Sequence, residues 1–132
     1  LTNSIARFSP SVTGIAGSSA VLRGGVTAYA TDVKASLLGV DADLLAREGA
    51  VHPEVARPMS LGVRRLLGTD VGVATTGVAG PTPQDGMPAG LVYIAATGPD
   101  GRTAVEECRF EGGRANVRQE TVLRALRLAL SR

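Results

Sequence analysis

Apolar residues follow two rhythms along this chain of 132 residues. AVLRGGVTAYA, residues 20–30, is rich in small and β-favouring residues and predicts a strand. Thr31 and Asp32 then offer N-cap chemistry for a short helix, DVKASLL, stopped by Gly39. Asp41 is placed to cap a second short helix, ADLLARE, stopped by Gly49. Pro53 and Glu54 suit the first turn of a longer helix, PEVARPMSLGVRRLL, which ends at Gly68. Pro58 inside it predicts a kink or a delayed start. DVGVATT, residues 70–76, is an apolar run of the kind found in strands covered on both faces. A loop dense in Gly and Pro follows, GVAGPTPQDGMPAG. LVYIAAT and TAVEECRF then flank GPDG as a β-hairpin. The chain closes on RANVRQETVLRALRLALSR, where Val117, Thr121, Leu123, Leu126 and Leu130 predict one apolar helical stripe. Interleaved strands and helices predict a layered α/β domain with a mixed sheet.

Composition narrows the options. Hydrophobic residues make up 44% and aromatics 3%, so Val, Leu, Ala and Ile must fill the core. The net charge is +2, with basic and acidic residues intermixed, and few rings exist to stack on bases, which argues against a nucleic-acid partner. No apolar run approaches the roughly 18 residues of a membrane helix, and no leader is evident, so a soluble cytoplasmic protein is expected. A lone Cys108 excludes an internal disulfide and a Cys-cluster metal site. His52, the single histidine, precedes Pro53 and reads as part of a helix start. Glu106 and Glu107 are neighbours on a strand and must face opposite ways.

Thirteen of the fourteen basic residues are arginine; the exception is Lys34. The two cations are not exchangeable where an amine must lose its proton. Tyr29 falls near a predicted strand end and Lys34 in the next helical turn, where ligand sites of α/β sheets gather. A second strand end arrives at Thr75–Thr76 and runs into GVAGP, whose glycines let backbone N–H groups approach an anion. If the two strand ends adjoin, Tyr29, Lys34, Thr76 and Gly77 share one pocket. There a desolvated amine would be a general base toward a hydroxyl nucleophile, and glycine-turn N–H groups would hold an oxyanion. On spacing alone, a lysine in a helix's first turn is more usually a solvated charge and TGVAGP more usually only a tight loop.

Four blocks carry a resemblance. GGVTAYATDVKASLLGV, REGAVHPEVARPMSLGVRRLLG, ATTGVAGPTPQDGMPAGLVYIA and RFEGGR stand in the order and spacing of the CinA C-terminal domain family. These are competence-damage-inducible proteins whose active members are nicotinamide-nucleotide amidases. The resemblance implies a single domain with a three-layer α/β/α fold that forms homodimers or larger homo-oligomers. It implies hydrolysis of nicotinamide mononucleotide to nicotinic acid mononucleotide and ammonia, with no metal and no cofactor. A serine attacks the carboxamide and a Tyr–Lys pair activates it; those two partners carry over onto Tyr29 and Lys34. Thr76 and Gly77 carry over as lining of the substrate site, and Arg114 as a partner for the substrate phosphate.

The chain departs from the family at its amino end. The family's helix and first strand lead into an S-x-T-G-G turn holding the nucleophile. Leu1–Thr2 can be read as the x-T of that turn, with the serine expected ahead of residue 1, and Asn3–Ser4 stands where Gly-Gly is expected; a degenerate site, or Ser4 in place of the serine, are the alternatives. A domain without that strand would present an open sheet edge and an uncovered apolar face. The rival reading is a catalytically silent homologue that binds a nucleotide or a partner. Exchange of Lys34 for Arg is expected to stop activity with little loss of stability.

Overall fold

The computed structural model describes residues 12–132. After a 3-10 turn at Ser18–Ala20 come three helices, α1 (Thr31–Ser36), α2 (Ala42–Glu48) and α3 (Pro53–Leu67). Strands β1 (Gly72–Gly77), β2 (Leu91–Thr97) and β3 (Thr103–Arg109) follow, and α4 (Gly113–Leu130) ends the chain. The strands form one antiparallel sheet in the order β1–β2–β3, with Thr76 opposite Tyr93 and Ala95 opposite Val105.

Helices cover both faces of the sheet. On one face Val55 and Met59 of α3 share a core with Ala74 of β1, Leu45 of α2 and Leu38. On the other, Val117, Ala125 and Leu128 of α4 pack on Val92, Ile94, Ala96 and Cys108. Alternation along the strands sorts side chains between these layers. Glu106 faces α4, where it pairs with Arg124 at 3.5 Å, while Glu107 faces away and accepts a hydrogen bond from the Tyr93 hydroxyl at 2.8 Å. The layered α/β architecture expected from the sequence is thus present. All strand pairs among the described residues are antiparallel, so the parallel pairing that a mixed sheet requires is not among them.

Local chemistry explains the helix ends. Asp41 caps α2 by accepting from the Asp43 N–H at 2.9 Å. His52 caps α3: its Nδ1 accepts from the Glu54 N–H at 3.1 Å, so that nitrogen carries no proton. The helix therefore starts on time at Pro53 and runs on through Pro58. α1 is different, because Ala30 is its N-cap and no side chain caps it. A buried hydroxyl chain ties α3 to the sheet, with Ser60 Oγ 2.7 Å from Thr97 Oγ1 and the latter 2.7 Å from Thr103 Oγ1.

Two expectations are corrected. Residues 20–30 do not form a strand among the described residues; no ladder partner lies beside them, and a strand is defined by its partner as much as by its propensity. The buried stripe of α4 is Val117, Thr121, Val122, Ala125 and Leu128, whereas Leu123 and Leu130 are exposed. Leu123 lies about 200° around the helix from Thr121, off the face that meets the sheet.

The turn after α1 meets α3 at Gly62, where a Cβ would stand only 2.0 Å from the Leu38 carbonyl oxygen. Gly62→Ala is therefore expected to lower stability by about 2 kcal/mol, although alanine is favoured over glycine in helix interiors by about 1 kcal/mol. Urea denaturation checks this; a gain in stability would show that the approach of the Leu38 turn to α3 is not a tight one.

Candidate active site

Lys34 lies in α1 with only 1% of its surface exposed. Its Nζ donates to the Ala28 carbonyl at 2.6 Å. Ala28 is itself fully buried, so the loop before α1 and the helix fold back on each other around this bond. No carboxylate pairs with the amine among the described residues. Taking an ammonium from water with no counter-ion is costly, and burial accordingly lowers its pKa from the ordinary 10.5. A hydrogen bond to a neutral carbonyl orients the amine while leaving it free to lose a proton. The sequence-derived requirement for an amine rather than a guanidinium has a physical basis here, since arginine cannot deprotonate.

Burial also revises the expectation for Lys34→Arg. A larger, permanently charged group has no room and no partner in this position, so the exchange would cost stability as well as basicity. Lys34→Met keeps the stem and removes the amine, and is the cleaner variant.

The remaining predicted residues fall into two groups. Thr76, fully buried, donates its hydroxyl proton to the Ala50 carbonyl at 2.6 Å. Having spent that proton, it can accept from a ligand but not donate to one. Ala28 and Ala50, which hold Lys34 and Thr76 respectively, belong to one apolar cluster with Ala74 of β1. That cluster is the link between the two predicted halves of the site. Gly77 ends β1, where a Cβ would lie 2.7 Å from Val92 Cγ2 and 2.8 Å from the Leu91 carbonyl oxygen, so only glycine fits. Arg114, in the first turn of α4, reaches back to donate to the Gly80 carbonyl at 3.2 Å. It thereby stands over the loop that begins at Gly77, at a helix start whose dipole favours anions. Tyr29 is 63% exposed, and its hydroxyl bonds to no described residue, Lys34 included. The turn proposed for the nucleophile, at Leu1–Ser4, lies outside the described residues.

Sequence reasoning missed the two carbonyls that hold the site, Ala28 and Ala50, because a backbone acceptor leaves no mark in the residue code. It also missed Asp85, held at a positive φ of 49°. Asp85 borders an open cleft of about 320 Å³ with Thr31, Arg47, Glu48 and Gly49, beside the start of α1. Cys108 is buried, and burial pushes its thiol pKa up, as befits a packing residue. No cluster of His, Cys, Asp or Glu able to hold a metal exists among the described residues. No described helix is long and apolar enough to cross a membrane.

A three-layer α/β domain with an unpaired, buried lysine beside a glycine-ended strand defines a recognisable class. Residues 6–132 match the family described as CinA C-terminal domain, and the chain belongs to that family. Among curated relatives, it is 50% identical over 117 residues to a CinA-like protein of Frankia casuarinae, covering 89% of this chain and 27% of that protein. It is 51% identical over 115 residues to a putative competence-damage inducible protein of Desulforamulus reducens, covering 87% of this chain and 28% of that one. The chain thus spans little more than a quarter of these relatives. Among solved structures, the competence/damage inducible protein CihA of Agrobacterium tumefaciens superposes with a TM-score of 0.93 at 33% identity, over 98% of this chain and 80% of that one. The competence damage-inducible protein A of Klebsiella pneumoniae gives a TM-score of 0.91 at 31% identity, with the same coverage.

The buried amine makes a signed prediction. Below its folded-state pKa the lysine is charged in both states, and the folded state bears the full cost of burying it. Between that pKa and 10.5 the unfolded chain holds a proton that the folded chain has released, so stability rises with pH across this window. The urea midpoint of the wild-type chain, measured relative to Lys34→Met, should climb through that window. A pH-independent difference would mean that the amine is not desolvated.

Proposed function

We propose that this domain is a nicotinamide-nucleotide amidohydrolase, converting nicotinamide mononucleotide to nicotinic acid mononucleotide and ammonia without a metal or cofactor. The observation that carries the reading is the Lys34 amine, buried, without a counter-ion among the described residues and with its pKa lowered by desolvation. Such an amine is neutral for more of the time near neutral pH and able to accept a proton. The resemblance supplies the rest of the assignment.

In this mechanism Lys34 Nζ takes the proton of a serine hydroxyl from the family's S-x-T-G-G turn as the oxygen bonds to the carboxamide carbon. The Gly77 turn, where the N–H groups of Ala79 and Gly80 have no backbone partner among the described residues, supplies donors to the oxyanion. The C–N bond breaks, and ammonia leaves with the proton that Lys34 took, relayed by the Tyr29 hydroxyl. Water then adds to the ester, its proton passing through Lys34 to the serine oxygen, and the carboxylate is released. Thr76 and Gly77 line the substrate site, and the exposed Arg114 guanidinium binds the phosphate. A cytoplasmic setting and a homodimer or larger homo-oligomer complete the proposal.

The exposed Tyr29, with no hydrogen bond to a described residue, favours one rival: a silent homologue that binds the nucleotide without cleaving it. Ammonia release from nicotinamide mononucleotide by the full-length protein containing this domain separates the two. Active protein should lose about 100-fold or more in kcat on Lys34→Met, and Arg114→Ala should raise KM about tenfold while kcat changes little. Calorimetric binding of the nucleotide with no ammonia formed would establish the silent reading instead.

A further inference from the structure

Lys34 is a buried amine without an anion. A charged lysine offers three N–H donors, and Nζ directs one of them to the Ala28 carbonyl at 2.6 Å. No described carboxylate takes another. The side chain is almost wholly enclosed, so bulk water does not replace the missing partner.

The charged groups on the surrounding elements are committed elsewhere. Tyr29, just before α1, and Asp32, on α1 itself, are exposed. Asp41 caps α2, and Asp43, Arg47 and Glu48 on that helix are exposed. His52 caps α3, and Glu54 pairs with Arg57 at 3.7 Å. Farther along α3, Arg64 donates to the Asp70 and Pro99 carbonyls, and Arg65 is exposed. β1 carries no charged residue. Burial is accordingly the one cause that shifts the amine, with no contribution from a neighbouring charge among the described residues.

The partner that such an amine lacks has a definite chemistry. An ionised carboxylate accepts only, and its bond to an ammonium is about twice as strong as one between neutral groups. Amide hydrolysis makes this group from an uncharged one, beside the base. On the proposed amidase reading, on which this inference rests, Arg114 takes the phosphate and the ring of the nucleotide meets Lys34. Turnover then sets a carboxylate where a carboxamide stood. Thr76 works in the opposite direction. Its hydroxyl proton already goes to the Ala50 carbonyl, so it can accept from a carboxamide N–H but gives a carboxylate nothing. That is a bond between neutral groups, and the charged pair outweighs it wherever Lys34 holds its proton.

We infer that the Lys34 pocket is a carboxylate receptor: it holds a nucleotide whose ring carries a carboxylate more tightly than one whose ring carries an uncharged group of the same shape, and the domain is thereby restrained by its own deamidated product. Where the amine is neutral, it takes a proton from solvent as the anion enters, and that N–H is the only covalent bond formed.

The test is calorimetric binding to the full-length protein containing this domain. Its two ligands are nicotinic acid mononucleotide and 3-acetylpyridine mononucleotide. The second has a methyl ketone in place of the carboxylate and cannot release ammonia. Both carry the same phosphate, so the ratio of their affinities reports on the ring substituent alone. Below the folded-state pKa of Lys34 the amine is charged before either ligand arrives, and the carboxylate should bind about tenfold tighter or more. Above that pKa a proton must be supplied, so the ratio should fall about tenfold per pH unit. Heats in buffers of different ionisation enthalpy should there show proton uptake with the carboxylate only. Lys34→Met should bring the ratio to one or below at every pH, since a carboxylate without a partner is costly to bury.

Equal affinities at every pH overturn the inference. So does a preference that persists in Lys34→Met, or one that does not fall through the titration of the lysine. Ammonia release from nicotinamide mononucleotide alongside equal affinities would remove the carboxylate receptor and leave the amidase reading intact. Failure of both ligands to bind would refute the nucleotide reading and this inference with it. If Lys34→Met fails to fold, the pH dependence of the wild-type ratio decides alone.

Discussion

The hydrogen bond from Lys34 Nζ to the Ala28 carbonyl organises this molecule more than any other single contact. It closes the approach to α1 upon the helix and fixes an amine in a place that water does not reach. The cost of that arrangement is the reason for its chemistry: with no carboxylate beside it among the described residues, the amine sheds charge to lower its energy. α1 can hold this position because Gly62 lets the Leu38 carbonyl rest directly on α3. The site is thus supported by the same close contact of the Leu38 turn with α3 that shapes the core.

Much of the fold could be read in advance because its signals are local. Pro53 after His52, Asp41 before ADLLARE, and GPDG between two apolar runs each specify their own turn or cap, and each is found where its chemistry demands. What could not be read was non-local. AVLRGGVTAYA has strand-like composition, but its pairing depends on a neighbour that its own residues do not name. The buried face of α4 was misjudged because leucines were weighed above Thr121, Val122 and Ala125, and small residues are what a closely approaching sheet selects.

The site was legible to a similar degree. A single lysine among thirteen arginines pointed to Lys34 for a chemical reason, and its burial supplies the environment that this reason requires. The partners that fix Lys34 and Thr76 are carbonyls of alanines, invisible to any residue-type argument. Tyr29 and Lys34 are close in sequence but not bonded, so their joint action depends on a substrate, or on chain outside the described residues, to bring hydroxyl and amine into one relay.

Because the chain has one lysine, selective labelling with lysine carrying carbon-13 at the ε position gives one reporter for the amine. Its chemical shift followed against pH measures the Lys34 pKa directly in the folded protein. A midpoint clearly below 10.5 is what a buried, unpaired amine demands. A midpoint at or above that value would mean a solvated or ion-paired ammonium, and the proposed base would be lost.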